Sequence, residues 1–284
     1  MFAIRSSIRF AAIVILGLPC MSSGAPADYV NFTAADSAGL AGVTVERFLF
    51  RSGLECPYTL IRHGDGEVKG FLVLLHGAGD NPTNFTKIAT RLGLRGMQHI
   101  LPRAPFPMSI RLPDPLTGRE ESFAGYGWLD DPTSPWVDRG TALSAFTVGS
   151  IIDEVRPAHA EGPPLVLAGF RQAAGIAALW AAANPGRVQG LVLVSGYAEP
   201  PVQEALAAGG RGLALQDMPC LVLIGIDAPD AVDSGDLAAT VRDLGARIEP
   251  HFVARGADFS ELDYGLIRAF VERCTGAIPA AEDR

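Results

Sequence analysis

The chain has 284 residues, 48% of them hydrophobic and 19% charged, which supplies enough apolar material for a full core and excludes a disordered or fibrous protein. Its formal net charge of −8, with no basic run, speaks against nucleic acid and anionic membrane surfaces as partners. One domain after processing is the simplest count.

The N-terminus carries Arg5 and Arg9 and no acid, residues 10–18 are almost wholly apolar, and Ala25-Pro26-Ala27 supplies small residues suited to cleavage. Residues 1–27 are therefore expected to be a secretory signal peptide, too short for a transmembrane helix, and the protein to be secreted or periplasmic. A lipoprotein signal at Cys20 is disfavoured by Pro19, and a mitochondrial presequence by the unbroken apolar run. Removing this segment takes the formal charge to about −10. Cys56, Cys220 and Cys274 remain, an odd set that allows at most one internal disulfide. Cys220 enters an apolar strand, so Cys56 with Cys274 is the candidate pair, and unpaired buried thiols are the alternative.

A polar leader over 28–42 precedes the expected domain, 43–284. Apolar alternation predicts two antiparallel strands over 43–50 and 58–62. From residue 70 the pattern changes to continuous apolar strands at 70–76, 99–101, 164–170, 188–194, 220–226 and 247–253. Helices are predicted over 82–92, 141–155, 172–184, 202–208, 236–244 and 262–274. Short buried strands separated by helices imply an α/β fold, a parallel sheet covered on both faces, with ligands bound beyond the carboxyl ends of the strands. The stretch 102–138 is rich in Pro, Gly and aromatic residues and too long for a mere connection. It reads as irregular, with residues 105–138 forming a pocket-covering insertion over that edge.

The strand at 164–170 runs into an Ala-rich helix through Gly169-Phe170-Arg171-Gln172-Ala173, a turn of the nucleophile-elbow kind. In a serine hydrolase such a turn is GxSxG and lifts a hydroxyl above the sheet. Here it carries a guanidinium, which keeps its proton and has no lone pair to attack with. The other segments in order are His76-Gly77-Ala78-Gly79-Asp80, Leu101-Pro102-Arg103-Ala104-Pro105, Gly127-Trp128-Leu129-Asp130 and Val194-Ser195-Gly196-Tyr197. With these the chain resembles the phospholipase/carboxylesterase branch of the α/β-hydrolase fold, which includes acyl-protein thioesterases, over roughly residues 43–273.

The resemblance implies a Ser-Asp-His triad, oxyanion donors from the backbone N–H groups of Ala78 and Gln172, and a pocket near His76, Gly77, Arg103 and Trp128. Carried across residue by residue, it leaves no triad member intact. Arg171 stands at the serine, Ala228 at the acid with Asp227 one residue early, and Asp258 at the histidine. His76 orients the oxyanion loop in that family, and His63, His99, His159 and His251 are not expected at the carboxyl edge. Ser195 belongs to a structural turn, and Trp128 and Trp136 either line an acyl pocket or pack the insertion. A buried Arg171 requires an acidic neighbour, and the resemblance places Asp258, or else Asp227, to supply it.

The expected function is that of an exported carboxylesterase-like homologue that does not hydrolyse esters. One alternative is an active carboxylic ester hydrolase with an unrecognised constellation. The other is a small-anion binding module, in which Arg171 and the amides of Ala78 and Gln172 hold a carboxylate or phosphate. No metal or other cofactor is expected. The expected ligand is a small anion or an acyl group, with no nucleic acid and no membrane span, and the oligomeric state is left open.

Overall fold

A computed structural model describes residues 43–51, 55–113, 120–130, 137–156, 162–208, 214–228, 230–254 and 261–276, all within the unit Leu40–Arg284. The signal-peptide and leader assignments, His159, Trp136 and Asp258 lie outside the described residues.

The continuous apolar runs are central strands. The strands in chain order are β1 (Val43–Arg51), β2 (Glu55–His63), β3 (Gly70–Leu75), β4 (Met97–Pro102), β5 (Phe106–Pro113), β6 (Glu120–Gly127), β7 (Leu165–Phe170), β8 (Gly190–Val194), β9 (Pro219–Gly225) and β10 (Arg247–Val253). Eight of them form one sheet in the order β1-β2-β4-β3-β7-β8-β9-β10. Pairings from β4 to β10 are parallel, and β2 is antiparallel to both of its neighbours.

The helices are α1 (Pro82–Leu92), α2 (Val137–Val155), α3 (Ala173–Ala183), α4 (Pro200–Ala208), α5 (Ala231–Asp243) and α6 (Glu261–Thr275). Alternate side chains of the strands divide between two cores. Phe71, Val73, Leu75, Leu165 and Leu167 pack with residues of α2, α3, α4 and α5, including Ile151, Trp180, Leu206 and Leu237. Leu72, Leu74, Val166 and Ala168 pack with Phe85 and Leu92 of α1 and Ile267 and Phe270 of α6. This period-2 alternation buries both faces of the sheet. Helix α1 starts where Asn81 accepts a hydrogen bond from the Asn84 N–H at 3.2 Å, and it ends on Gly93 at φ +58°.

Part of the insertion departs from the irregular form expected for 102–138. β5 and β6 make an antiparallel hairpin, from Phe106 opposite Gly127 to Pro113 opposite Glu120. Its physical basis is the alternation of Phe106, Met108, Ile110 and Leu112, a strand signal that Pro107 and Pro113 obscure. The hairpin is clasped to the loop after β3. The Gly79 N–H donates to the Tyr126 carbonyl at 2.9 Å, and the Tyr126 N–H donates to the Asp80 carbonyl at 3.0 Å. A Cβ on Gly125 would overlap the Gly79 carbonyl, so glycine permits the approach.

Cys56, Cys220 and Cys274 are all free thiols, which removes the candidate Cys56–Cys274 bridge. Cys56 and Cys220 are fully buried and serve as small core residues. No described helix is long and apolar enough to cross a membrane.

Candidate functional site

The loops after β3, β7, β8 and β9 leave the same edge of the sheet, since these strands run parallel. The loop after β7 is the elbow. Arg171 has φ +52°, in the left-handed region that a residue with a Cβ occupies only under constraint. Its N–H donates to the Val194 carbonyl at 3.0 Å, and its carbonyl accepts from Ala174 at 2.9 Å and Tyr197 at 3.3 Å. Gly169 makes the bend possible, because a Cβ there would lie 2.6 Å from both the Ala173 carbonyl oxygen and the Ala174 Cα. Backbone geometry thus keeps the nucleophile elbow while the side chain it presents is a cation.

The loop after β3 lies against this turn. A Cβ on Gly77 would stand 3.1 Å from the Phe170 ring and 3.6 Å from the Arg171 Cβ. Neither the Ala78 nor the Gln172 N–H donates to another described residue. The two amides assigned as oxyanion donors therefore belong to adjoining turns.

Beneath them runs a buried hydrogen-bond network. Nδ1 of His76 lies 2.8 Å from the Gly77 carbonyl, and its Nε2 accepts from the Ala104 N–H at 3.1 Å. Those partners fix the neutral tautomer with the proton on Nδ1. Burial lowers the His76 pKa to about 4, against the weaker opposing effect of the Gly77 hydrogen bond. Trp128 is fully buried. Its indole N–H donates to the His76 carbonyl at 2.6 Å, and its backbone N–H donates to the Gln172 side-chain oxygen at 2.9 Å. The Ser144 hydroxyl donates to the Trp128 carbonyl. Trp128 thereby ties the loop after β3, the elbow, the insertion and α2 together. Arg103 donates to the Tyr126 hydroxyl at 3.3 Å and stacks on that ring with its guanidinium 4.4 Å from the centre.

Of the remaining positions, Ala228 is buried and offers no carboxylate, while Asp227 is exposed in the turn after β9. Among the described residues the acid that meets Arg171 is Asp230, whose Oδ2 lies 3.5 Å from Nε, and not Asp227; the first candidate, Asp258, lies outside the described residues. Asp230 sits at the N-cap of α5 but makes no side-chain capping bond, because its carboxylate turns toward the elbow. The contact does not close as a hydrogen bond: Arg171 Nε and Asp230 Oδ1 are both buried and without hydrogen-bond partners. Tyr197 lies in the same field, and its phenol is raised by burial, then by Glu199, Asp230 and Asp233, with Arg171 opposing.

No histidine joins the elbow among the described residues. His63 and His99 stand together with ring centres 5.4 Å apart, one from β2 and one from β4, and His251 lies within β10. Ser195, at φ +43°, is almost fully buried and donates its N–H to the Leu223 carbonyl at 2.8 Å, in keeping with a structural turn. No group of metal-ligating side chains assembles among the described residues.

The sheet order, the single antiparallel β2 and the elbow after β7 define the α/β-hydrolase fold. Solved structures similar to it include esterases and a thioesterase. A carboxylesterase from Mesorhizobium loti matches with a TM-score of 0.58 at 17% identity, covering 79% of this chain and 98% of that one. A cold-adapted esterase from an Arctic intertidal metagenomic library matches with a TM-score of 0.59 at 15% identity, covering 83% and 95%. The Zea mays acyl-protein thioesterase 2 matches with a TM-score of 0.53 at 18% identity, covering 81% and 99%. At such identities the likeness is one of fold. No family model and no curated protein matches the chain.

Proposed function

We propose that this chain is an exported, esterase-like α/β-hydrolase that no longer hydrolyses esters. The observation that carries this reading is Arg171 at the tip of the elbow, held at φ +52° by backbone bonds to Val194, Ala174 and Tyr197. A guanidinium there cannot form an acyl intermediate. Two further features support it: the residue at the acid position, Ala228, is buried and has no carboxylate, and Asp230, the acid that meets the elbow among the described residues, faces a cation rather than an imidazole. The adjoining amides of Ala78 and Gln172 alone would supply only a small residual acceleration over water.

The test is labelling of the mature protein with a fluorophosphonate probe, alongside turnover of p-nitrophenyl acetate and butyrate. No labelled serine and background turnover are expected. Stoichiometric labelling of any serine would establish an active hydrolase with another constellation instead. Export rests on the Arg-flanked apolar run and Ala25-Pro26-Ala27. N-terminal sequencing of periplasmic or secreted material should begin near Asp28, and a cytoplasmic chain beginning at Met1 would refute it.

A further inference from the structure

We propose that the elbow has become a binding site for a zwitterion, an α-amino acid whose carboxylate is held by Arg171 and whose ammonium is held by Asp230. The inference rests on the reading that a cation has replaced the nucleophile, but its test is a binding measurement separate from hydrolysis.

Arg171 and Asp230 face each other across 3.5 Å without closing a hydrogen bond, leaving Nε and Oδ1 buried and unpartnered. Both atoms are closed off within the under-bonded pair, so the groups open to a ligand are the outer guanidinium nitrogens of Arg171 and the other carboxylate oxygen of Asp230. Asp230 also forgoes the capping bond that an Asp at a helix N-cap ordinarily makes.

The local charge then selects among ligands. Arg171, Asp230, Asp233 and Glu199 all act on the Tyr197 phenol, so one cation shares this space with three carboxylates. A simple anion would meet Arg171 against that negative field, and a simple cation would meet Arg171 itself. A zwitterion satisfies both, and the one-carbon separation of its charged groups is comparable to the spacing of the Arg171–Asp230 pair. The side chain Arg171 is 38% exposed, so its outer fork can be reached. Ile226 and Val232, four residues before and two after Asp230 in the chain, are exposed, so an apolar amino acid is included among the ligands tested.

The experiment uses calorimetric titration of the whole mature chain with glycine, leucine and glutamate, and with two analogues of leucine. These are 4-methylpentanoate, which lacks the ammonium, and 3-methylbutylamine, which lacks the carboxylate. Leucine should bind, and each analogue should bind weaker by about tenfold or more, the loss of one charge-assisted contact. Arg171→Gln should abolish leucine binding. Asp230→Asn, nearly isosteric, should weaken leucine and strengthen 4-methylpentanoate, an inversion that a purely structural role would not produce. If no amino acid binds, or if 4-methylpentanoate matches leucine on the unmodified protein, the inference is overturned. Fluorophosphonate labelling decides the hydrolytic question independently of either result.

Discussion

Acidification should destabilise this fold through two buried histidines, and the size of the effect can be worked out. His99 is fully buried with neither ring nitrogen hydrogen-bonded, and burial, reinforced by His63, lowers its pKa to about 3. His76 is fully buried with a pKa lowered to about 4, and protonation at Nε2 would forfeit the bond it accepts from Ala104. Both folded-state values lie below the unfolded value of about 6.5, so the unfolded chain binds more protons in between. Stability is therefore present above about pH 6.5 and lost as the pH falls toward the folded values. At pH 5 each histidine costs about 2 kcal/mol, or about 4 kcal/mol for the pair. That is a large share of the ~5–15 kcal/mol that holds a typical domain together. Burial raises Glu272, which opposes the trend. Urea melts at pH 7.5, 6 and 5 should show this fall, and His99→Phe should remove about half of it whatever the variant does to stability at neutral pH. An unchanged pH slope in His99→Phe would show that His99 does not carry the effect. So would an NMR titration of the unmodified protein in which the His99 ring protonates above pH 5.

Three further perturbations probe the site. Gly169→Ala places a methyl 2.6 Å from the Ala173 carbonyl oxygen and the Ala174 Cα, and should lower stability by about 1–3 kcal/mol in denaturant melts. Trp128→Phe leaves the buried His76 carbonyl without the indole donor and should cost about 1–3 kcal/mol, with loss of part of the tryptophan fluorescence protected from quenchers, Trp180 keeping the rest. Arg171→Ser alone should give little esterase activity, whereas adding Ala228→Asp and Asp258→His should restore measurable p-nitrophenyl butyrate hydrolysis, because triad members act as a unit. A folded triple variant no better than the single one would mean that the assigned triad register or the paired amides of Ala78 and Gln172 are wrong.

Local sequence patterns specify the alternation of strands and helices and the elbow. These are local signals: Gly70–Leu75 and Leu165–Phe170 are buried on both faces, so their apolar runs are continuous, and Gly169 sits where the following helix backbone must approach. The departure of Arg171 from a nucleophile was equally legible, because it is a matter of residue identity. Tertiary structure alone decided what surrounds that residue. Asp230 lies well before the helix predicted over 236–244, and only the packing of α5, which starts at Ala231, turns its carboxylate toward Arg171. The β5–β6 hairpin was masked by its prolines and is held by bonds between Tyr126 and the distant Gly79 and Asp80. Likewise, no spacing along the chain shows that Trp128 joins His76, Gln172 and Ser144 in one network. Periodicity reports whether a residue faces the core, but the partner of a charge or a buried donor is set by chain segments far away in sequence, and pairing across such distances leaves no local pattern.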